Sequence, residues 1–520
     1  MLSKILSGAN VGLDAVPVEV EVDVAASGLP HFIIVGLADR SVEESKDRVK
    51  TAIRNSNAEF PDHKITVNLA PADLPKIGPS YDLPIALGLL CASGQILAKG
   101  LNLDLSKTLS LGELSLDGTL RPIPGVLPMS LLAKNQGLKT IIVPKGNGWE
   151  ASIVDKIDVL EVESLDQLIK FLLGQIQIKP FVRKKINLEN DSDYEYDFSQ
   201  IKGQEQAKRA MEVAAGGGHN ILLKGPPGAG KTMLARAFPS ILPPLSFDEA
   251  VEVTKIYSIA GLLDSKKSLI NIRPFRSPHH SASHIGLIGG GNSPHPGEIS
   301  LAHRGVLFMD ELPEFPRHVL ESLRQPLEDH HITISRAAGS LTFPAQFMLL
   351  AAQNPCPCGF LGDKKRTCSC MPGQIAKYKR RVSGPLLDRI DIYLEVPAVE
   401  VDKLSGVMDT EDSKTIRDRV KKARKIQSER FQPKADGPLD HKRKIITNSE
   451  MANQDIKKYC VVSEEGLNLL KMAISSLNLS ARGYHRVLKL SRTIADLEGS
   501  ENISENHIAE ALQYRAREEN

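Results

Sequence analysis

The stretch GPPGAGKT, running from Gly225 to Thr232, constrains this chain more than any other. It fits G-x-x-x-x-G-K-[ST], a loop whose spacing is dictated by phosphate chemistry. Gly225, Gly228 and Gly230 let the backbone curl so that successive N–H groups face a phosphate, with Pro226, Pro227 and Ala229 completing the turn. The helix that follows adds the positive end of its dipole. Lys231 is expected to reach the β- and γ-phosphates and Thr232 to hold Mg²⁺, so ATP and Mg²⁺ are the expected cofactors. Ile221, Leu222 and Leu223 read as a buried parallel strand ahead of the loop, and Met233 to Phe238 as a helix behind it.

Two later segments supply the rest of a hydrolytic site. GVLFMDE, Gly305 to Glu311, is an apolar strand ending in two acids. Asp310 is suited to bind hydrated Mg²⁺ and Glu311 to polarise an attacking water. FMLLAAQNP, Phe347 to Pro355, is a third apolar strand, with the polar Asn354 at its end.

A chain of 520 residues suggests about three domains, at roughly one per 150 residues. With 25% charged and 41% hydrophobic residues it reads as soluble and globular, and a net charge of +2 excludes a uniformly basic nucleic-acid coat. No segment reaches the ~18 apolar residues of a membrane span. MLSKILSGAN is too short and polar for a secretory signal, and six cysteines form no disulfide framework, so a reducing cytoplasm is expected.

Residues 1–180 read as an α+β domain. Val18, Val20, Val22 and Val24 alternate along a half-buried strand, and His31 to Val35, Ile65 to Leu69 and Thr140 to Val143 read as further strands. Arg40 to Asn55 and Leu83 to Cys91 read as helices, and a helix begins at Ser130 to Lys134. Leu109 to Leu120 reads as a hairpin turning at Asp117-Gly118. Residues 181–197 switch from basic to acidic without apolar periodicity and read as an exposed connector. Residues 198–398 form the expected α/β motor. Residues 399–520 show helical spacing from Ile416 to Phe431, Asn448 to Tyr459, Glu464 to Leu477, Ala481 to Glu498 and Ile503 to Arg517, an expected α-helical lid.

CPCGFLGDKKRTCSC, within residues 356–370, carries Cys356, Cys358, Cys368 and Cys370. Four thiolates can enclose a structural Zn²⁺; reduced thiols and redox disulfides are the other readings. Lys364 to Arg381 holds seven Lys/Arg and no Asp or Glu, a surface suited to DNA phosphates through Lys364, Lys365 and Arg366, or equally a solvated loop or a subunit contact. His279, His280, His284, His295 and His303 cluster between the phosphate loop and the acid-bearing strand, but no pair has the spacing of a hydrolytic zinc site, and loop packing or pore contacts are expected of them.

Two resemblances add to this reading. GPSYDLPIALGLL and LGELSLDGTLRPIPGV resemble the proteolytic domain of Lon proteases, with Ser80 at the nucleophile position. The base lysine of that family would fall near Met129, and Leu127 to Leu132 contains no lysine, so a Lon-like domain without protease activity is expected. FRSPHHSASHIGLIGGGNSPHPGEISLAHRGVLFMDELPEF resembles the magnesium-chelatase-like AAA+ ATPases, and the whole chain is similar to their YifB/ComM branch. That resemblance implies an insert in the motor's second helix around Ser281 to Ser300. It also implies a DNA-gripping hairpin at Ile332 to Phe343, with Arg336 at its turn. It gives Asn354 the role of first sensor. Arg389, in SGPLLDRID, becomes an arginine finger reaching a neighbouring subunit, with Arg381 in reserve. Arg482, with Arg486 next, becomes the second sensor on the γ-phosphate. It further implies a homo-hexameric, ATP-driven DNA motor that migrates DNA branches when incoming DNA recombines during natural transformation, alongside recombination proteins. The other readings are a magnesium-chelatase-type ATPase subunit serving a metal-insertion partner, an ATP-dependent protease, and a sigma-factor activator, whose GAFTGA loop is absent.

Overall fold

A computed structural model describes residues 1–97, 101–182, 194–264, 269–291, 294–336, 339–363, 366–398, 410–432, 445–476 and 479–515. The first domain is built on seven strands: β1 (Leu2–Val11), β2 (Asp14–Val24), β3 (His31–Val35), β4 (Lys64–Ala70), β5 (Thr108–Ser110), β6 (Thr140–Pro144) and β7 (Asp158–Val162). Their order across the sheet is β3-β4-β2-β1-β5-β6-β7. β1 pairs antiparallel with β2 and β2 with β4, whereas β5, β6 and β7 run parallel, and β1 joins the two halves. The alternation of Val18, Val20, Val22 and Val24 buries all four, as the pattern requires. Helix Asp82–Ala92 is almost wholly buried, packed against β1, β2 and the helix Ser45–Asn55. Its one charge, Asp82, is neutralised by a fork from Arg48, whose Nε and Nη2 stand 2.7 and 3.0 Å from the carboxylate.

Three expectations need correction. The helix expected over Arg40 to Asn55 is two, Arg40–Glu43 and Ser45–Asn55. The hairpin expected over Leu109 to Leu120 is shorter: its first residues belong to β5 in the main sheet, and only Glu113–Leu114 pairs with Leu120–Arg121. The Asp117-Gly118 turn does close it, with Gly118 at φ +85°. The third is the helix expected to begin at Ser130, which begins at Val126; β1, at the N-terminus, carried no expectation.

The motor carries a second sheet of five strands, all parallel: β8 (Ile221–Lys224), β9 (Phe275–Arg276), β10 (Val306–Met309), β11 (Met348–Gln353) and β12 (Ile392–Glu395). Their order is β9-β10-β11-β8-β12, so the connections leaving the neighbours β8 and β11 run in opposite directions across the sheet. A crevice outside the carboxyl ends of the strands at such a reversal is where open α/β sheets bind ligands. Helices Glu205–Gly217 and Lys231–Ala237 share one apolar core with these strands and with the lid helices Ser413–Arg430 and Ala481–Glu498. The hairpin is present, His331–Arg336 against Gly339–Pro344, and around the expected insert lie a short helix, His284–Ile288, and a two-residue ladder at Gly289–Gly290. No described helix is long and apolar enough to cross a membrane.

The first domain docks on the motor. Leu127, Ile153 and Val154 pack with Leu245, Ala250, Val253 and Leu269, centred on the motor helix Phe247–Ile259. Glu150 is buried at this seam, accepting the Leu127 N–H at 2.7 Å and the Ser258 hydroxyl, and burial pushes its carboxyl pKa up. Lys255 closes the edge with an ion pair to Asp14 at 2.8 Å.

Candidate active site

The phosphate loop leaves the carboxyl end of β8, and glycine geometry sets its shape. Gly228 and Gly230 sit at φ +77° and +85°, where a side chain would be strained. A Cβ on Gly225 would come within 2.1 Å of the Val396 carbonyl, so the loop can start there only without one. Lys231 opens the helix, and its Nζ folds over the loop, 2.7 Å from the Gly225 carbonyl, 2.9 Å from that of Pro226 and 3.2 Å from Asn354 Oδ1. Burial holds the Lys231 pKa below the usual lysine value, against the pull of Asp310 and Glu311. The Thr232 hydroxyl donates to Asp310 Oδ2 at 2.9 Å, which places the two expected Mg²⁺ ligands side by side. A buried ammonium bonded to neutral oxygens, beside a paired hydroxyl and carboxylate, fits a Mg²⁺–triphosphate.

Glu311 follows Asp310 with its backbone in the left-handed region, φ +52°, and its N–H donates to Asp310 Oδ1 at 2.9 Å. That turn throws its carboxylate to the half-exposed mouth of the site, where His280 Nδ1 lies 3.7 Å away. The structure therefore gathers Lys231, Thr232, Asp310 and Asn354 directly, with Glu311 at the rim. Two participants carried no sequence signal. Gln204 ties the loop to β12, donating to the Ala229 and Pro397 carbonyls at 3.3 and 3.0 Å. Gly359 lays the cysteine-bearing segment on Pro227, where a Cβ would come within 2.6 Å of the ring.

Arg389 and Arg482 lie elsewhere. Arg389 precedes β12, and its carbonyl accepts from Asn220, which precedes β8. Both therefore belong to the amino edge of the sheet, opposite the loop and separated from it by the length of a four-residue strand, about 13 Å. Arg389 and Arg482 both face Glu328, the second at 3.9 Å, in a cleft of about 340 Å³ that they share with Arg424, Arg486 and Lys489. None of the phosphate-loop residues lines that cleft. Arg389 Nε is buried and finds no acceptor among the described residues. Arg381 pairs instead with Glu314 at 2.6 Å.

The remaining candidates divide. Cys356, Cys358, Cys368 and Cys370 converge, all four Sγ atoms within 4.8 Å of one another. The histidines do not converge on a metal: among the described residues the four cysteines form the one such group. His303 is buried and structural, accepting the Gln346 N–H on Nδ1 and meeting Glu252 through Nε2 at 3.3 Å. Arg366 stands over the Phe360 ring at 5.1 Å. Lys364, Lys365 and the side chain of Arg336 lie outside the described residues.

Loop, acid pair and parallel strand order together define a P-loop protein of the α/β class. Three family descriptions match almost end to end: "Subunit ChlI of Mg-chelatase" over residues 20–147, "Magnesium chelatase, subunit ChlI" over 197–404, and "Magnesium chelatase, subunit ChlI C-terminal" over 410–515. "Competence protein ComM" of Haemophilus influenzae is 43% identical over 99% of this chain and 97% of its own. "Uncharacterized protein YifB" of Escherichia coli matches equally, at 43% over 99% and 97%. Lon protease 2 of Bacillus subtilis is 27% identical over 183 residues, 32% of this chain and 31% of its own. The chain belongs to the ComM/YifB family of magnesium-chelatase-like AAA+ proteins, a membership that points to ATPase activity.

Proposed function

We infer that the chain is an ATP-driven DNA motor that works as a hexameric ring in the cytoplasm, migrating DNA branches while incoming DNA recombines in natural transformation. The observation that carries this reading is the placement of Arg389 and Lys231 on opposite edges of one parallel sheet. A guanidinium that stabilises a phosphoryl transition state must touch it. Arg389 cannot touch its own loop, so a second copy completes the site, and repeating that contact around an axis closes a ring. Arg482, on the same cleft, joins Arg389 in facing the neighbour's nucleotide. The relative named as a competence protein supports the choice of process, and the hairpin His331–Arg336 with Gly339–Pro344 is the element we assign to gripping a phosphate backbone.

Within each site Lys231 and the loop N–H groups bind and orient the phosphates, Thr232 and Asp310 hold the metal, Glu311 positions a water, and Asn354 fixes the γ-phosphate side of that water. Bound Mg²⁺–ATP supplies the phosphoanhydride whose hydrolysis drives the cycle. The Lon-like domain, with Met129 where a base lysine would stand, acts as a docking and assembly module without peptidase chemistry. The test is strand displacement from forked DNA by the wild type beside Lys231→Ala. DNA-stimulated hydrolysis and displacement by the wild type alone are expected. Hydrolysis indifferent to DNA, with no strand displaced, overturns the reading.

A further inference from the structure

We propose that Cys356, Cys358, Cys368 and Cys370 hold one tetrahedral Zn²⁺, and that this closed centre keeps Pro227 and Asn354 in place, so that its occupancy governs nucleotide binding and turnover. The second half rests on the ATPase reading; the first does not.

The donor set argues for the metal. Sγ separations are 3.4 Å for Cys356–Cys358, 3.6 Å for Cys356–Cys368 and 3.5 Å for Cys358–Cys368. Sulfurs of a disulfide stand about 2.05 Å apart. Thiolates at ~2.3 Å from a tetrahedral zinc stand roughly 3.8 Å apart. The three observed spacings, 3.4 to 3.6 Å, lie far from the first distance and close to the second. Two backbone N–H groups point at the sulfurs: Cys358 donates to Cys370 Sγ and Cys370 to Cys368 Sγ, each at 3.4 Å. Such donors stabilise ligating thiolates. Four soft ligands exclude Mg²⁺, and a set of four leaves no open position, which marks a structural centre.

The chain path argues for the coupling. Asn354, which accepts from Lys231, stands two residues before Cys356 at the end of β11. Cys356 is fully buried, and its carbonyl accepts the Gly359 N–H at 3.0 Å, closing a turn. That turn rests on Pro227 of the phosphate loop at Gly359, which has φ +85°. The centre thus fixes one short segment that touches the nucleotide site at both ends. Loss of the metal frees Asn354 and Pro227 together.

Full-length protein, purified reduced and zinc-replete, is assayed for metal content, for the tetrahedral-thiolate spectrum after Co²⁺ exchange, for affinity toward a fluorescent ATP analogue, and for hydrolysis without DNA. The expected result is one zinc per chain and a thiolate–Co²⁺ spectrum, both lost in the double variant Cys358→Ser, Cys370→Ser. Affinity and turnover in that variant should each fall by about 10-fold or more. Gly359→Ala separates the two halves: it keeps zinc, yet its Cβ displaces Pro227 and lowers affinity. Lys231→Ala keeps its zinc while losing turnover. No zinc after reconstitution, or iron in its place, overturns the site. A zinc-free double variant or a Gly359→Ala protein with wild-type affinity overturns the coupling. Absence of hydrolysis in the wild type would instead strike the ATPase reading and leave the metal count standing.

Discussion

At Lys231 a buried cation leans on three neutral oxygens, those of Gly225, Pro226 and Asn354. Its removal costs the fold little, because the hydrogen bonds lost are offset by relief of the desolvation that holds this ammonium's pKa down. Lys231→Ala is therefore expected to lower ATP turnover by about 10²-fold or more while shifting the unfolding midpoint little, read by phosphate release and thermal melting on the same sample. His303 has the opposite profile. Burial holds its pKa below the usual histidine value. Because Nδ1 accepts the Gln346 N–H, the neutral tautomer carries its proton on Nε2, toward Glu252. The unfolded chain then binds a proton more readily than the folded one, so stability is complete above the unfolded pKa of about 6.5 and declines as pH falls below it. His303→Gln should flatten that decline in denaturant titrations across the same window. At this scale the sequence was legible where spacing is dictated by the ligand: the loop, Asp310 and Asn354 sit at fixed offsets from apolar strands. Gln204, Glu328 and Gly359 left no such mark, because each meets its partner across a long stretch of chain.

The helix Phe247–Ile259 shows what an element adds. It is tied to the motor by Tyr257, whose hydroxyl donates to the Leu301 carbonyl at 3.0 Å, and it receives the first domain through Ala250 and Val253. Val253→Asp would bury a carboxylate among Leu127, Ile153 and Leu269, a change expected to cost about 3 kcal/mol or more at the seam. The measurement is limited proteolysis, which should cleave between the two domains faster in the variant. The helix Val126–Asn135 offers Leu127 to the motor and Met129 to the domain interior, where a protease would need a lysine. Long amphipathic elements such as Ala481–Glu498 were readable from their period alone, bounds included. β1 was not, because it lies between β2 and β5 in mid-sheet and its burial does not alternate. β9 and the ladder at Gly289–Gly290 span two residues each, too short for any period.

For the whole molecule, the decisive expectation concerns mixtures. Neither Lys231→Ala nor Arg389→Ala should hydrolyse ATP alone. Mixed before assembly, they should regain part of the wild-type rate, because some seams then pair an intact lysine with an intact arginine. Steady-state phosphate release across mixing ratios measures this, and a flat baseline at every ratio would contradict a shared site. The sheet order β9-β10-β11-β8-β12 lies beyond sequence reasoning, since five short apolar strands can be ordered many ways. Within it, the pairing of β8 with β12 sets Asn220 beside Arg389.

On the proposed shared-site reading, the arginine cleft at the amino edge makes dilution an off-switch. A solitary chain would then carry a cradle and no trigger, and catalytic rate per chain should climb with protein concentration until assembly saturates. Idle copies in a sparse cell would hold their nucleotide unspent, and fuel would burn only where enough chains have met.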